Sequence, residues 1–290
     1  MPRIALVTCA PGPEVAEDRD LPALVRALED AGARASAEVW DDDRVDWAAF
    51  DLVVIRSTWD YSWRAAEFTA WAERCAAVTR LANPADVVRW NTDKRYLADL
   101  ADAGVPVVDT RYLAPGDPLD LPGDHEYVVK PASGAGARFA ARYTPDEHAT
   151  AVRHLERMHA DGLTAMVQPY LSAIDTTGER ALQYFGGTLL HASRKGPVLA
   201  PSTPYDQRKT AHPGLTEWTP SLEEAAIARK ALASVPGRPE LLYARVDLVD
   251  GDDGRPRVME LELVEPNLFL WLHPESMPRV VEDVLKAAAR

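Results

Sequence analysis

Residues 258–266 read VMELELVEP, and this short stretch constrains the chain more than any other. Met259, Leu261 and Leu263 alternate with Glu260 and Glu262. A β-strand repeats every two residues, so the alternation predicts a strand with both glutamates on one face and the apolar residues backing it. Upstream, across the loop DGDDGR, RVDLV sets Asp247 mid-strand between Val246 and Leu248. Paired antiparallel, the two strands converge Asp247, Glu260 and Glu262 on one face. Carboxylates set opposite one another destabilise a sheet by roughly a few tenths of a kcal/mol or more. A hard cation relieves that conflict, since Mg²⁺ takes oxygen ligands and bridges carboxylates to substrate phosphates. The plain alternative is a solvated strand pair. No clustered histidine or cysteine points to a softer metal.

The chain has 290 residues, which predicts two or three lobes rather than one core. Its net charge of −13 argues against a protein that coats nucleic acid, because phosphate neutralisation needs basic patches. No stretch approaches a membrane span, and the N-terminus lacks the pattern of a signal peptide. Cys9 and Cys75 are far apart and fit no zinc or disulfide pattern. We expect a cytoplasmic protein.

RIALVT, ASAEVW and DLVVI read as strands, separated by the helix LPALVRALEDAGA and a short crossover. They predict an open α/β domain, whose ligand crevice lies beyond the strand C-termini. Arg56, Ser57, Asp60 and Tyr61 fall there, while Trp59 reads as packing. Asn83-Pro84 reads as a turn, and Asn91 or Thr92 as the cap of a helix through DKRYLADLADAG. From about residue 178 the pattern turns strand-rich, so the fold class is α/β with an α+β C-terminal half.

Three further features bear on chemistry. VVKPASGAGA sets Lys130 before a glycine-rich turn (Ser133, Gly134, Ala135, Gly136), which suits a flap folded over phosphates or a tight hairpin. It is not a Walker A loop, because the lysine precedes the glycines. Lys94, placed at a helix start, is disfavoured by the helix dipole unless an anion lies nearby. Gln168, Pro169, Tyr170 and Leu171 form an apolar strand with a proline break, which either reads the edge of a flat heterocycle or is an edge strand. His191 and His212 have no partner readable in sequence and count as structural.

Taken in order, RSTWDY, NPADVVRWNTDKRYL, VVKPASGAGA and MELELVEP resemble the glutathione-synthetase-like branch of the ATP-grasp superfamily over nearly the whole chain. The resemblance implies an N-terminal α/β domain at 1–88, a central lobe with the flap at 89–170, and a C-terminal lobe with the magnesium site at 171–290. It implies ATP and Mg²⁺ as cofactors. Lys94 and Lys130 would meet phosphates, Ser133 to Gly136 would form the flap, and Gln168 to Leu171 the adenine hinge. Asp247, Glu260 and Glu262 would hold magnesium. The family pattern Glu-x-Asn is altered here, because Glu262 stands where asparagine is usual, and Glu265-Pro266-Asn267 follows downstream.

The activity implied is carboxylate activation through an acyl phosphate, followed by attack of an amine-type nitrogen. Arg180, Arg194 and Arg245 would serve catalysis, and Arg56, Ser57, Asp60 and Tyr61 would face a small carboxylate substrate. The branch includes a cyclo-ligase that closes O-ureido-D-serine to D-cycloserine, the sharpest version of this reading. A peptide or protein-tail ligase is the enzyme alternative, and a non-catalytic ATP-binding regulatory protein the alternative of another class. The resemblance leaves room for a homodimer. Replacing Glu262 by Ala is expected to abolish magnesium-dependent turnover while circular dichroism shows the fold intact. Normal turnover in that variant would move the metal assignment to Glu265 and Asn267.

Overall fold

The first strands are apolar along their whole length, which suits parallel strands buried on both faces. In the computed structural model, which describes residues 1–12, 17–207, 209 and 212–290, β1 (Arg3–Thr8), β2 (Arg34–Val39), β3 (Leu52–Ser57) and β4 (Leu81–Ala82) form a parallel sheet. Its order is β2-β1-β3-β4, and all six residues of β3 are buried. Helix α1 (Leu21–Asp30) stops before Gly32, whose φ of +89° only glycine adopts without strain. Helix α2 (Ala65–Ala76) packs Phe68 and Trp71 against Trp40 and Ile55 on the opposite face.

Helices α3 (Ala85–Asn91) and α4 (Tyr96–Asp102) lead to an antiparallel sheet of β5 (Arg111–Leu113), β6 (Tyr127–Pro131), β7 (Ala141–Tyr143) and, after α5 (His148–Ala160), β8 (Ala165–Pro169). Its order is β5-β8-β6-β7. The third sheet holds β9 (Glu179–Phe185), β10 (Thr188–Lys195), β11 (Thr216–Trp218) and, beyond α6 (Leu222–Ala233), β12 (Tyr243–Asp250) and β13 (Pro256–Glu262). These run antiparallel in the order β11-β10-β9-β12-β13. The chain closes with α7 (Met277–Ala288), which returns to the first sheet. There Val280 and Val284 share a core with Ile4, Leu6, Leu24 and Leu28. No helix among the described residues is long and apolar enough to cross a membrane.

The segment after β4 departs from expectation. A helix occupies Ala85–Asn91, so Asn91 ends one helix instead of capping the next. Both asparagines serve the edge of β13, which has no neighbouring strand on its outer side. An unpaired strand edge leaves backbone groups that must be satisfied when buried. Asn91 donates to Leu261 O at 2.8 Å and accepts from Leu263 N at 2.7 Å. Leu261 N donates to the Tyr96 hydroxyl at 2.9 Å. Asn83 donates to Leu263 O and Tyr243 O, at 2.8 and 2.9 Å, and accepts from Leu242 N at 2.8 Å. Nearer the start of β13, Val258 exchanges hydrogen bonds with Pro106 O and Val108 N.

Asn83 is fully buried, so its loss leaves three backbone groups without partners. Asn83→Ala should destabilise the protein by about 2–4 kcal/mol, since each orphaned buried group costs roughly 1–3 kcal/mol and partial relaxation offsets some of it. Chemical denaturation checks this; a change under roughly 0.5 kcal/mol, the range of neutral surface substitutions, would refute the clamp.

Candidate active site

Strand register decides which side chains meet. Asp247 on β12 stands opposite Glu260 on β13 and Ala181 on β9, and Arg245 stands opposite Glu262 and Gln183. Glu179 is opposite Lys195 on β10. Residues directly opposite in an antiparallel pair share a face, as do residues two apart. Glu179, Lys195, Arg245, Asp247, Glu260 and Glu262 therefore line one face of the third sheet. Arg180 and Arg194, opposite each other and in line with Leu248, occupy the other face. Arg180 pairs there with Glu224 at 2.8 Å and with Asp250. The expectation that Arg180 and Arg194 meet the reacting groups is corrected: each lies one residue out of phase with the working face. A register shift after Asp247 sets Leu248 opposite Val258, leaving Met259 as an extra residue. Met259 therefore lines the cavity instead of backing the strand.

One oxygen each of Asp247, Glu260 and Glu262 lies within 4.8 Å of the others. This all-oxygen set fits Mg²⁺ in chemistry and number. The chain's own cations hold these carboxylates. Asp247 accepts from Lys195 at 2.7 Å and from Arg245 at 2.8 Å. Arg245 also reaches Glu262, Lys94 lies 3.2 Å from Glu260, and Lys195 lies 2.5 Å from Glu179. Against the cost of burial, Arg245 and Lys195 hold the Asp247 carboxyl well below the usual range. Burial pushes Glu262 up to about 8; Arg245 pulls it down, while Glu260 and Asp247 add to the rise. Burial likewise pushes Glu265 up to about 7, with the Tyr61 hydroxyl and Lys94 working against it.

A cavity of roughly 930 Å³ separates this face from the second sheet. Lys130 projects into it from β6, and burial, with Lys94 next to it, lowers its affinity for a proton. Lys94 sits in the turn before α4 and donates to Gly134 O at 2.5 Å. Gly134, Ala135 and Gly136 line the cavity, and Gly136 takes φ +64° so that the loop can fold back. Ser133 donates to Thr92 O at 2.9 Å, fastening the loop to the Lys94 turn. Gln168, Pro169, Tyr170 and Leu171 line the far wall; the Gln168 amide is held by Thr110 at 2.8 Å. These groups can grip an anion and a flat heterocycle together.

The first sheet contributes differently from expectation. Arg56 is 1% exposed and donates to Pro266 O at 3.1 Å, with Asp18 at 3.6 Å. Ser57 donates to Thr8 at 2.9 Å, and Asp60 accepts from the Trp40 indole at 2.9 Å. None of the three lines the cavity: Ser57 and Asp60 bond within the first lobe, and Arg56 bonds across to Pro266. Tyr61 is buried behind the wall, beside Glu265. Trp59, read from sequence as packing, does line the cavity, and its indole donates to Glu265 O at 3.3 Å.

Glu179 and Lys195 are cavity residues that sequence reasoning missed; Glu265 and Asn267, the alternative metal pair, and His212, read as structural, line the cavity as well. The period of two offered a signal for Glu179 and Lys195, since both fall in step with Asp247 once the hairpin register is known. Burial, then Lys195 and Arg245, push His212 down to about 3, so it stays neutral. His191 is held by Ser276 and Leu268 O and stacks on His273 at 4.0 Å.

Comparison with known proteins agrees with this geometry. The family model for the N-terminal domain of D-cycloserine synthetase DcsG matches residues 4–83. The cycloserine biosynthesis protein DcsG of Streptomyces lavendulae is 39% identical over 296 residues, covering 96% of each chain. The crystal structure of D-cycloserine synthetase DcsG superposes with a TM-score of 0.87 at 36% identity, covering 99% of each chain. A D-alanine–D-alanine ligase from Bacillus anthracis shares the fold at TM-score 0.72 and 15% identity, over 100% of this chain and 98% of its own.

The raised pKa of Glu262 has a signed consequence. Its ordinary value is 4.5, and in the folded protein it is about 8. The stability tied to the neutral carboxyl is fully present below the ordinary value and is lost as pH rises through about 8. In metal-free protein, Glu262→Gln should therefore gain stability relative to wild type between about pH 5 and pH 8. Thermal unfolding at several pH values reads this, and a difference that stays constant across the window defeats it.

Proposed function

This chain belongs to the D-cycloserine synthetase family and has the ATP-grasp fold; from that premise we propose that it is an ATP-dependent ligase that closes O-ureido-D-serine to D-cycloserine. The observation that carries the reading is the triad of Asp247, Glu260 and Glu262, with Lys94 and Lys130 gathered around Glu260. Lobes at 1–88, 89–170 and 171–290 would supply the acceptor wall, the flap and the metal face.

Lys94 and Lys130 would bind phosphate oxygens, and the backbone of Ser133 to Gly136 would cover them. Gln168 to Leu171 would take the adenine. Asp247, Glu260 and Glu262 would hold Mg²⁺, which when bound offsets negative charge on the transferring phosphoryl group. Arg245, which lines the same cavity, would bind the substrate carboxylate. The γ-phosphoryl group passes to that carboxylate, and ADP leaves. The nitrogen attached to the substrate's side-chain oxygen then attacks the acyl carbon, the C–O bond to phosphate breaks, and the ring closes. Water then takes the carbamoyl group from that nitrogen, which keeps its N–H, and the group leaves as carbamate, which breaks down to carbon dioxide and ammonia. No side-chain nucleophile is required; positioning and fixed charge carry the reaction.

The cavity volume lies within the range of about 300–1,000 Å³ typical of small-molecule sites, which favours a small acceptor over a peptide. The filled set of lysines and carboxylates favours catalysis over mere nucleotide binding. With ATP, Mg²⁺ and O-ureido-D-serine, the protein should release ADP and phosphate, and only when the carboxylate substrate is present. Formation of AMP and pyrophosphate, or release that ignores the substrate, overturns the proposal.

A further inference from the structure

The carboxylates of the cavity are not equivalent. Asp247 has Lys195 and Arg245 as partners, Glu179 has Lys195, Glu260 has Lys94, and Glu262 has Arg245. Glu265 also lines the cavity and is 7% exposed. Among the described residues, no cation lies within 4.0 Å of it; its neighbour is the Tyr61 hydroxyl. A buried carboxylate without a counter-charge is costly, and a ligand cation would relieve that cost.

The surrounding backbone is fixed in place. Trp59 donates to Glu265 O, Arg56 to Pro266 O at 3.1 Å, and Arg245 to Asn267 O at 3.4 Å. The Glu265 carboxylate is therefore carried on a turn anchored at three successive carbonyls. On the same cavity, Arg245 and Lys195 offer positive charge to an anion. One acidic and one basic end, on one small cavity, match a zwitterion.

We propose that Glu265 binds the α-ammonium group of the substrate, so that the enzyme selects free amino acids and rejects amine-blocked or amine-free analogues. This rests on the ligase reading above for the identity of the substrate. It makes Glu265 a specificity-determining residue and leaves the metal to Asp247, Glu260 and Glu262.

The test compares O-ureido-D-serine with 3-(ureidooxy)propanoate, which has hydrogen in place of the amine. Binding is measured by calorimetry with a non-hydrolysable ATP analogue and Mg²⁺, alongside ADP release with ATP. Glu265→Gln should weaken binding of the amine-bearing ligand about 30-fold, the worth of a charge-assisted hydrogen bond, and leave KM for ATP unchanged. The amine-free ligand should bind both proteins equally weakly. Equal losses for the two ligands, or undiminished binding of the amine-bearing ligand by the variant, overturn the inference. Wild-type binding of the amine-bearing ligand without ADP release would instead overturn the ligase reading and leave the ammonium site standing. Should the variant fail to fold, the wild-type preference between the two ligands decides alone: a ratio near one overturns the inference.

Discussion

The site is organised around the buried ion-pair network of Asp247, Arg245 and Lys195. Asp247 is 1% exposed and could not carry its charge there alone. Buried pairs of this kind add little net stability, but removing one partner strands the other at high cost. Each member therefore fixes the next: Arg245 reaches from Asp247 to Glu262, and Lys195 reaches from Asp247 to Glu179. The chain's own cations pair with the carboxylates, and a metal or nucleotide bound here would compete with them. Binding would then redistribute charge that is already in place, with little rearrangement of the sheet.

That network needs β13 to stay in register, and β13 is the edge strand of its sheet. A slip of one residue would turn Glu260 and Glu262 to the opposite face. Asn83, Asn91 and Tyr96 prevent it by hydrogen-bonding the outer edge as a neighbouring strand would. The same segment carries Lys94, so the turn that holds the strand also delivers an ammonium group next to Glu260. Position and charge come from one stretch, residues 83–96.

Much of the fold was legible because it depends on local periodicity. Apolar runs marked β1 and β3, and the alternation in 258–263 marked β13. The convergence of Asp247, Glu260 and Glu262 on one face followed from the same rule. What escaped depends on pairing between distant residues. Arg180 and Arg194 attracted attention as charges, but Glu179 and Lys195 are the residues in step with Asp247, and only the register of β9 and β10 shows it. Met259 faces the cavity because of a register shift that no alternation reveals. Asn83 and Asn91 look like turn and cap residues, since their amides serve those roles equally well; their partners lie more than 150 residues away. Trp59 lies next to residues with plainer signals, and its contact with the Glu265 carbonyl joins positions 206 residues apart in the chain.

The last helix of the protein completes the first sheet. Val280 and Val284 of α7 cover the face formed by Ile4, Leu6, Leu52 and Val54, together with Leu268 and Leu270. Domains generally fold as units during synthesis, the N-terminal one first. Here the opening strands emerge from the ribosome long before the residues that bury one of their faces. Leu24 and Leu28 of α1 cover part of that face, and the rest waits for Leu268, Leu270 and α7. The first sheet is thus completed by residues far downstream of it, and loss of α7 is felt at β1 and β3.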